Sequence, residues 1–393
     1  MGWGKLHSFD GTSRLQYNTT LILITKICFS MSDRQTVSNR INRLFCEHSR
    51  RAVWCRFGLM LALGLAVPAH ALPTAEEDLA VLGIPSGQLA RLERGEIVSQ
   101  PAQESGEKEL AMDVALFVPQ RPAKVFAYLQ RAEVEAIDSD VLAHGEIPPG
   151  AGVEAFGRLA FSVNEGEEVE GLLNAEPGDR FNLSSGEIDG FRQLREKLST
   201  ITDEAARAEA VSRHYREILL HRWHDYHAKG LAGIAPYAHA EGIPAADPAA
   251  ELRASAGSDR SLARFYPELN KAWLDYPAGG LPAGAAEQYF WMNRTVEGRP
   301  TVVLGHRLVQ STGNGGVIAI RHYYVSHSYN SINLVIGCLP HRDGSIVFYA
   351  QRTSTDQVAG MARELRHAIG RERMKEQMTG RLESLRKALK AGG

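Results

Sequence analysis

Cysteine is scarce in this chain: there are four in 393 residues, and Cys28, Cys46 and Cys55 all fall near the N-terminus. Beyond residue 71 only Cys338 remains, which excludes an internal disulfide framework or a cysteine-based metal site in that part. No apolar stretch reaches the roughly 18 residues of a spanning helix, so a polytopic membrane protein is excluded. The formal net charge is only -2, which excludes binding of nucleic acid through general basicity. No Gly-x-Ser-x-Gly nucleophile turn occurs, and no Walker or dinucleotide glycine pattern follows a strand. Gly313-Asn314-Gly315-Gly316 joins two expected strands, whereas a phosphate-cradling loop opens a helix. What is present is 44% hydrophobic and 23% charged residues, the balance of a folded globular chain.

Residues 50–71 have the three parts of a secretory signal. Arg50, Arg51 and Arg56 form a positive flank, and Phe57 to Val67 is an apolar stretch. Pro68 breaks that stretch, and Ala69-His70-Ala71 supplies a small-x-small cleavage pattern. The arginine pair also resembles a loose twin-arginine export signal, so both export routes stay open. About 50 residues precede this signal, and Met31 is a candidate start. The expectation is a leader over 1–71, cleavage near Ala71, and a periplasmic or secreted product. The leader holds nine Lys/Arg against three Asp/Glu, so the product carries about -8 and is not drawn to anionic surfaces by overall charge.

Residues 72–108 form a mixed N-terminal segment, with short helices expected at 75–82 and 86–94. Leu110, Met112, Val114, Leu116 and Val118 alternate, which predicts a strand over 109–118. A short helix is expected over 123–132, a strand over 154–163 and a hairpin partner near 167–173. From about 187 to 276 the period changes to 3.6. Val211, Tyr215, Ile218, Leu219, Trp223 and Tyr226 then make one helical stripe, which Gly230 ends. A second helical region follows over 249–275, interrupted by Pro267. Strands are expected again at 287–296, 301–310, 317–326, 331–338 and 345–352, and their short turns force antiparallel neighbours. The last element, about 356–390, is a long helix with Met361, Leu365, Ile369, Met378, Leu382, Leu385 and Leu389 as its apolar side. The fold class expected is α+β: an antiparallel β-sheet meander gripping a long C-terminal helix, with a helical insertion.

This order over about 109–163 and 287–390 resembles the helix-grip architecture of START-like lipid-transfer proteins and polyketide cyclases. The resemblance implies a curved sheet around the terminal helix, an apolar cavity between them, and a 109–393 domain into which 187–276 is inserted. Within the later strands, polar residues stand among aromatics. Arg321, Tyr323, Val325 and His327 share one face by period 2, with His322 and Tyr324 on the other. Tyr289 and Trp291 share a face earlier, Arg307 lies in the next strand, and Arg352 and Asp356 come just before the last helix. The candidate ligand-binding residues are therefore Tyr289, Trp291, Arg307, Arg321, Tyr323, His327 and Arg352. A guanidinium such as Arg321 or Arg307 suits a carboxylate or phosphate head. Asp356 is expected to cap the helix.

Three functions remain open at this point. The first is an exported carrier of a hydrophobic small molecule, a lipid or fatty acid. The second is a hydrolase or cyclase working in the same cavity, for which Ser326, Ser328, His327 and Asp343, or Cys338 with His341, are available. The third is an envelope interaction module whose insertion docks on a protein partner. His221, His224 and His227 fan around the polar side of one helix and do not converge on a metal. Cys338 sits in an apolar strand and is expected to be a buried, inert thiol. No cofactor and no nucleic-acid partner is indicated.

Overall fold

Eight strands make one antiparallel sheet in the computed structural model, which describes residues 73–131, 140–178 and 180–391, all within the unit Ala71–Gly393. The leader and the candidate start at Met31 lie outside the described residues. The strands are β1 Val98–Pro101, β2 Glu109–Val118, β3 Val141–Glu146, β4 Ala285–Val296, β5 Arg299–Ser311, β6 Gly316–Val325, β7 Ser331–His341 and β8 Gly344–Ser354. Their spatial order is β1-β2-β8-β7-β6-β5-β4-β3. The five later strands run longer than the sequence expectation by one to three residues at most ends. β1 and β3, with few apolar residues each, escape the period-2 pattern and complete the two edges.

The helices are α1 Ala75–Val81, α2 Leu89–Glu93, α3 Pro122–Arg131, α4 Gly166–Leu173, α5 Ser185–Lys197, α6 Glu204–Lys229, α7 Pro248–Gly257, α8 Arg260–Phe265, α9 Pro267–Asp275 and α10 Arg363–Ala391. They cover both faces of the sheet. On one face, α3 and α10 pack Phe126, Met374, Met378, Leu382 and Leu385 against Leu110, Met112, Val114 and Leu116 of β2. On the other, the insertion packs Trp223, Tyr226, Leu269 and Trp273, and the N-terminal segment packs Leu79 and Leu92. Burial on both faces is why the middles of β7, Leu334 to Leu339, and β8, Ile346 to Ala350, read as unbroken apolar runs.

Two expectations over the middle of the chain are corrected. Residues 154–163 are not a strand, and 167–173 is not its hairpin partner. A 3-10 turn lies at Val153–Phe156, and α4 occupies Gly166–Leu173. The helix wins because Ser162 and Glu165 form a capping box at the 3-10 turn that leads into α4. Val169, Leu172 and Leu173 then bury one helical face. The helical layer therefore begins with α4, about 20 residues earlier than expected.

The terminal helix is also corrected. It starts at Arg363, and Asp356 does not cap it. Asp356 lies in a 3-10 turn capped by Thr355 and pairs with Lys108 at 2.5 Å. Leu365 and Ile369 are exposed, as is Met361 just before the helix, and burial begins with His367. Gly370 faces Leu110, where a Cβ would sit 2.6 Å from that side chain. The two halves of the apolar series thus lie on different sides of α10.

Candidate functional site: a cavity between the sheet and the terminal helix

A cavity of about 260 Å³ lies on the α10 face of the sheet. Its floor is aliphatic: Ile318 and Ile320 from β6, and Ile332, Leu334 and Ile336 from β7. Phe290 and Met292 of β4 and Tyr349 of β8 add to it. Gly305 makes this wall possible. It pairs with Phe290 across β4 and β5, and a Cβ there would lie 2.1 Å from the Phe290 ring. Side chains on one face recur every second residue, so the same strands deliver polar groups at Gln288, Arg294, Arg307, His322 and Gln351. Arg381 comes from α10, and His144 and Glu146 from the β3 edge.

Three arginines line the cavity, against one carboxylate, Glu146, which is exposed. Arg294 Nη2 lies 3.6 Å from Asp140. Arg307 Nη2 donates to the carbonyls of Leu129 (3.0 Å) and Gln130 (3.4 Å) at the end of α3. Its Nη1 reaches Gln288 Oε1 at 3.5 Å, and its buried Nε has no acceptor. Burial pulls the Arg307 pKa down from its ordinary value. His322 contacts the Tyr329 hydroxyl at 3.3 Å through Nδ1. Burial, then the charges of Arg294 and Arg381, push His322 down to about 3, so the ring is neutral near pH 7. A neutral imidazole that far below 6.5 is poorly matched to general base work at neutral pH.

Of the expected ligand-binding residues, Arg307 brings its guanidinium to this cavity. Tyr289 reaches its boundary, but its ring stacks on His306 and its hydroxyl meets that of Tyr276 at 2.5 Å, on the insertion side. Trp291 also faces the insertion, where its Nε1 donates to Ala155 at 2.8 Å. Arg321 is completely buried there: Nη1 donates to the Tyr226 hydroxyl and Nη2 to the Trp273 carbonyl, with the guanidinium 4.1 Å from the Trp273 ring. The Tyr226 hydroxyl in turn donates to His306 Nδ1 (2.8 Å), and His306 Nε2 to Glu287 (2.9 Å). Arg321 is thus held in a buried network on the insertion side, with its Nε lacking an acceptor, and burial holds His306 neutral, at about 4.

The period-2 reading of β6 fails at one residue. The pairing skips from Leu304↔Tyr324 to Gly305↔His322, so Tyr323 is a bulge. Tyr323 and Tyr324 therefore both face the insertion, and Val325 turns to the α10 side. Tyr323 stacks flat on Tyr226 at 3.9 Å, and the Tyr324 hydroxyl pairs with that of Tyr215 at 2.9 Å. Tyr324→Phe removes that bond inside the core and is expected to cost about 1–2 kcal/mol, read as a lowered urea midpoint at unchanged slope. A change within 0.3 kcal/mol would show that Tyr215 finds another partner.

His327 lies beyond β6 and contacts Thr301 and the Pro300 carbonyl, both at 2.9 Å; burial lowers its pKa. Arg352 donates to the carbonyls of Gln103 and Ser258. It lines a second, more polar cavity of about 410 Å³ on the insertion face, with Asp113, Asp259 and Arg260. Cys338 is buried, and burial pushes its thiol up to about 12. Sequence reasoning did not select Arg294, His322, Tyr349, Gln351 or Arg381. Arg294 was within reach, since it continues the alternation Phe290, Met292; Arg381 adjoins Leu382 on the buried stripe of α10.

Comparison of the chain with protein-family models, curated proteins and solved structures finds no match.

Proposed function

We propose that the protein binds or carries a single hydrophobic small molecule in the cavity between the sheet and α10. The observation that carries this reading is an aliphatic and aromatic cavity with a few convergent polar groups, the usual composition of small-molecule sites. Its volume falls just under the roughly 300–1,000 Å³ typical of such sites, which suits one acyl chain or one small ring system. The order of elements, which resembles the START-like helix-grip proteins, agrees with a ligand held between sheet and terminal helix. The helical insertion leaves that space intact, because it packs on the opposite face. The leader pattern at 50–71 supports a periplasmic or secreted location for this binding.

The enzyme and docking readings have less support. Among the described residues lining the cavity there is no serine, threonine or cysteine to serve as a nucleophile. The insertion spends its main apolar stripe, Val211 to Tyr226, on the sheet.

Native mass spectrometry of the purified protein, followed by solvent extraction, is expected to show a stoichiometric adduct of lipid or fatty-acid size. Leu334→Trp fills the cavity from its floor and is expected to abolish uptake of a fluorescent fatty acid while the protein still unfolds cooperatively. Undiminished uptake by a folded Leu334→Trp variant would move the ligand elsewhere.

A further inference from the structure

Resting on the cavity reading above, we infer that the ligand is a single-chain amphiphile with a carboxylate head, and that Arg307 receives that head. Arg307 stands at the α3 end of the cavity, beside the aliphatic floor of β6. Its charge is met only by neutral acceptors: two helix carbonyls and one amide oxygen. Arg307 makes no ion pair among the described residues. Arg307 is half-buried, and a guanidinium next to apolar surface without a counter-charge carries a desolvation cost that a ligand carboxylate offsets while its chain covers the isoleucines and Leu334. Its Nη1, whose one contact is the Gln288 oxygen at 3.5 Å, is the nitrogen left to donate to a carboxylate oxygen. The single lining carboxylate among the described residues, Glu146, sits exposed at the cavity edge and does not pair with Arg307. A cationic head would be repelled by Arg307, and a neutral head would leave the Arg307 charge without a counter-charge. The volume of about 260 Å³ favours one chain over two.

The alternative role for Arg307 is purely structural, as a cation at the C-terminal end of α3. Selectivity between heads separates the two. Calorimetric titration of the full chain at pH 8 with dodecanoate and with 1-dodecanol, which share a chain and differ in head, is the test. Dodecanoate is expected to bind at least about tenfold more tightly. Arg307→Gln is expected to erase most of that preference while leaving the dodecanol affinity within about twofold. Equal binding of the two by the unmodified protein overturns the head assignment and leaves the cavity reading standing. Binding of neither overturns the single-chain inference as a whole, and a stoichiometric adduct in native mass spectrometry then separates that failure from failure of the cavity reading. If Arg307→Gln folds and keeps the full preference, Arg307 is structural and the assignment to it falls. If Arg307→Gln does not fold, Arg307→Lys keeps the charge but loses the guanidinium Nη1 and its position; it is expected to retain the sign of the preference and to lose part of its size, and an unchanged preference overturns the assignment.

Discussion

Replacing Glu187 by glutamine is expected to destabilise the protein by about 3–5 kcal/mol, the cost of stranding one member of a buried ion pair. Glu187 opens α5, and Arg222 lies in the middle of α6. Arg222 Nε donates to Oε1 at 2.7 Å and Nη2 to Oε2 at 2.5 Å, and the two side chains are 15% and 6% exposed. The guanidinium also lies 4.2 Å over the Tyr324 ring. Glutamine keeps the capping bond that Glu187 accepts from Ser184 N, so the helix start is preserved, while the charge and the Nε–Oε1 bond to Arg222 are lost together. Arg222 then remains buried with no carboxylate in contact. The double variant Glu187→Gln/Arg222→Met removes the stranded charge and is expected to recover a large part of the loss. Denaturant unfolding of the three variants measures this; a single-variant cost below about 1 kcal/mol would mean that the pair is effectively solvated.

Asp113→Asn acts in the opposite direction and depends on pH. Asp113 lies on β2, is 4% exposed, and faces the second cavity. Burial pushes its carboxyl from 3.8 up to about 7, against the pull of Arg352. Between those two values the folded protein holds a proton that the unfolded chain has released. Stability therefore falls as pH rises from about 4 to about 7, and the loss is complete above that range. Asparagine cannot ionise, so Asp113→Asn is expected to leave stability nearly unchanged at pH 4 and to raise it by up to about 4 kcal/mol at pH 8. Asp78, which bonds to Ser261, is likewise raised to about 7 and slopes the same way. Asp113 is the cleaner test because no hydrogen bond to its side chain is lost. Unfolding curves at the two pH values decide it: equal effects at pH 4 and pH 8 would show that the carboxyl titrates normally in the fold.

Local periodicity determined much of the architecture. The alternation of Leu110 to Val118, the stripe from Val211 to Tyr226 and the short turns after residue 285 each correspond to an element, because propensity and patterning agree there. The α+β class and the long terminal helix were legible for the same reason. Cys338 was legible as a buried thiol, since its neighbours are apolar on both sides. Where local signals conflict, the sequence was ambiguous. Residues 154–173 alternate well enough for a hairpin, yet a cap and three buried side chains make 166–173 a helix. The leader reading rests on the sequence alone.

The site was decided by tertiary structure. Period 2 says which residues share a face, but it does not say which face meets α10. Arg307 and Arg321 occupy neighbouring strands and look equivalent in the sequence. One lines a cavity and the other is locked between Tyr226 and Trp273, because their positions differ by one residue in the β5–β6 register. The bulge at Tyr323 then turns two consecutive tyrosines to the same side, which no alternation rule anticipates. The sequence by itself determined the class of elements and their order, since these depend on near neighbours in the chain. Only the packed structure decided which polar side chains enter the cavity, since that depends on strand register and on which layer covers each face.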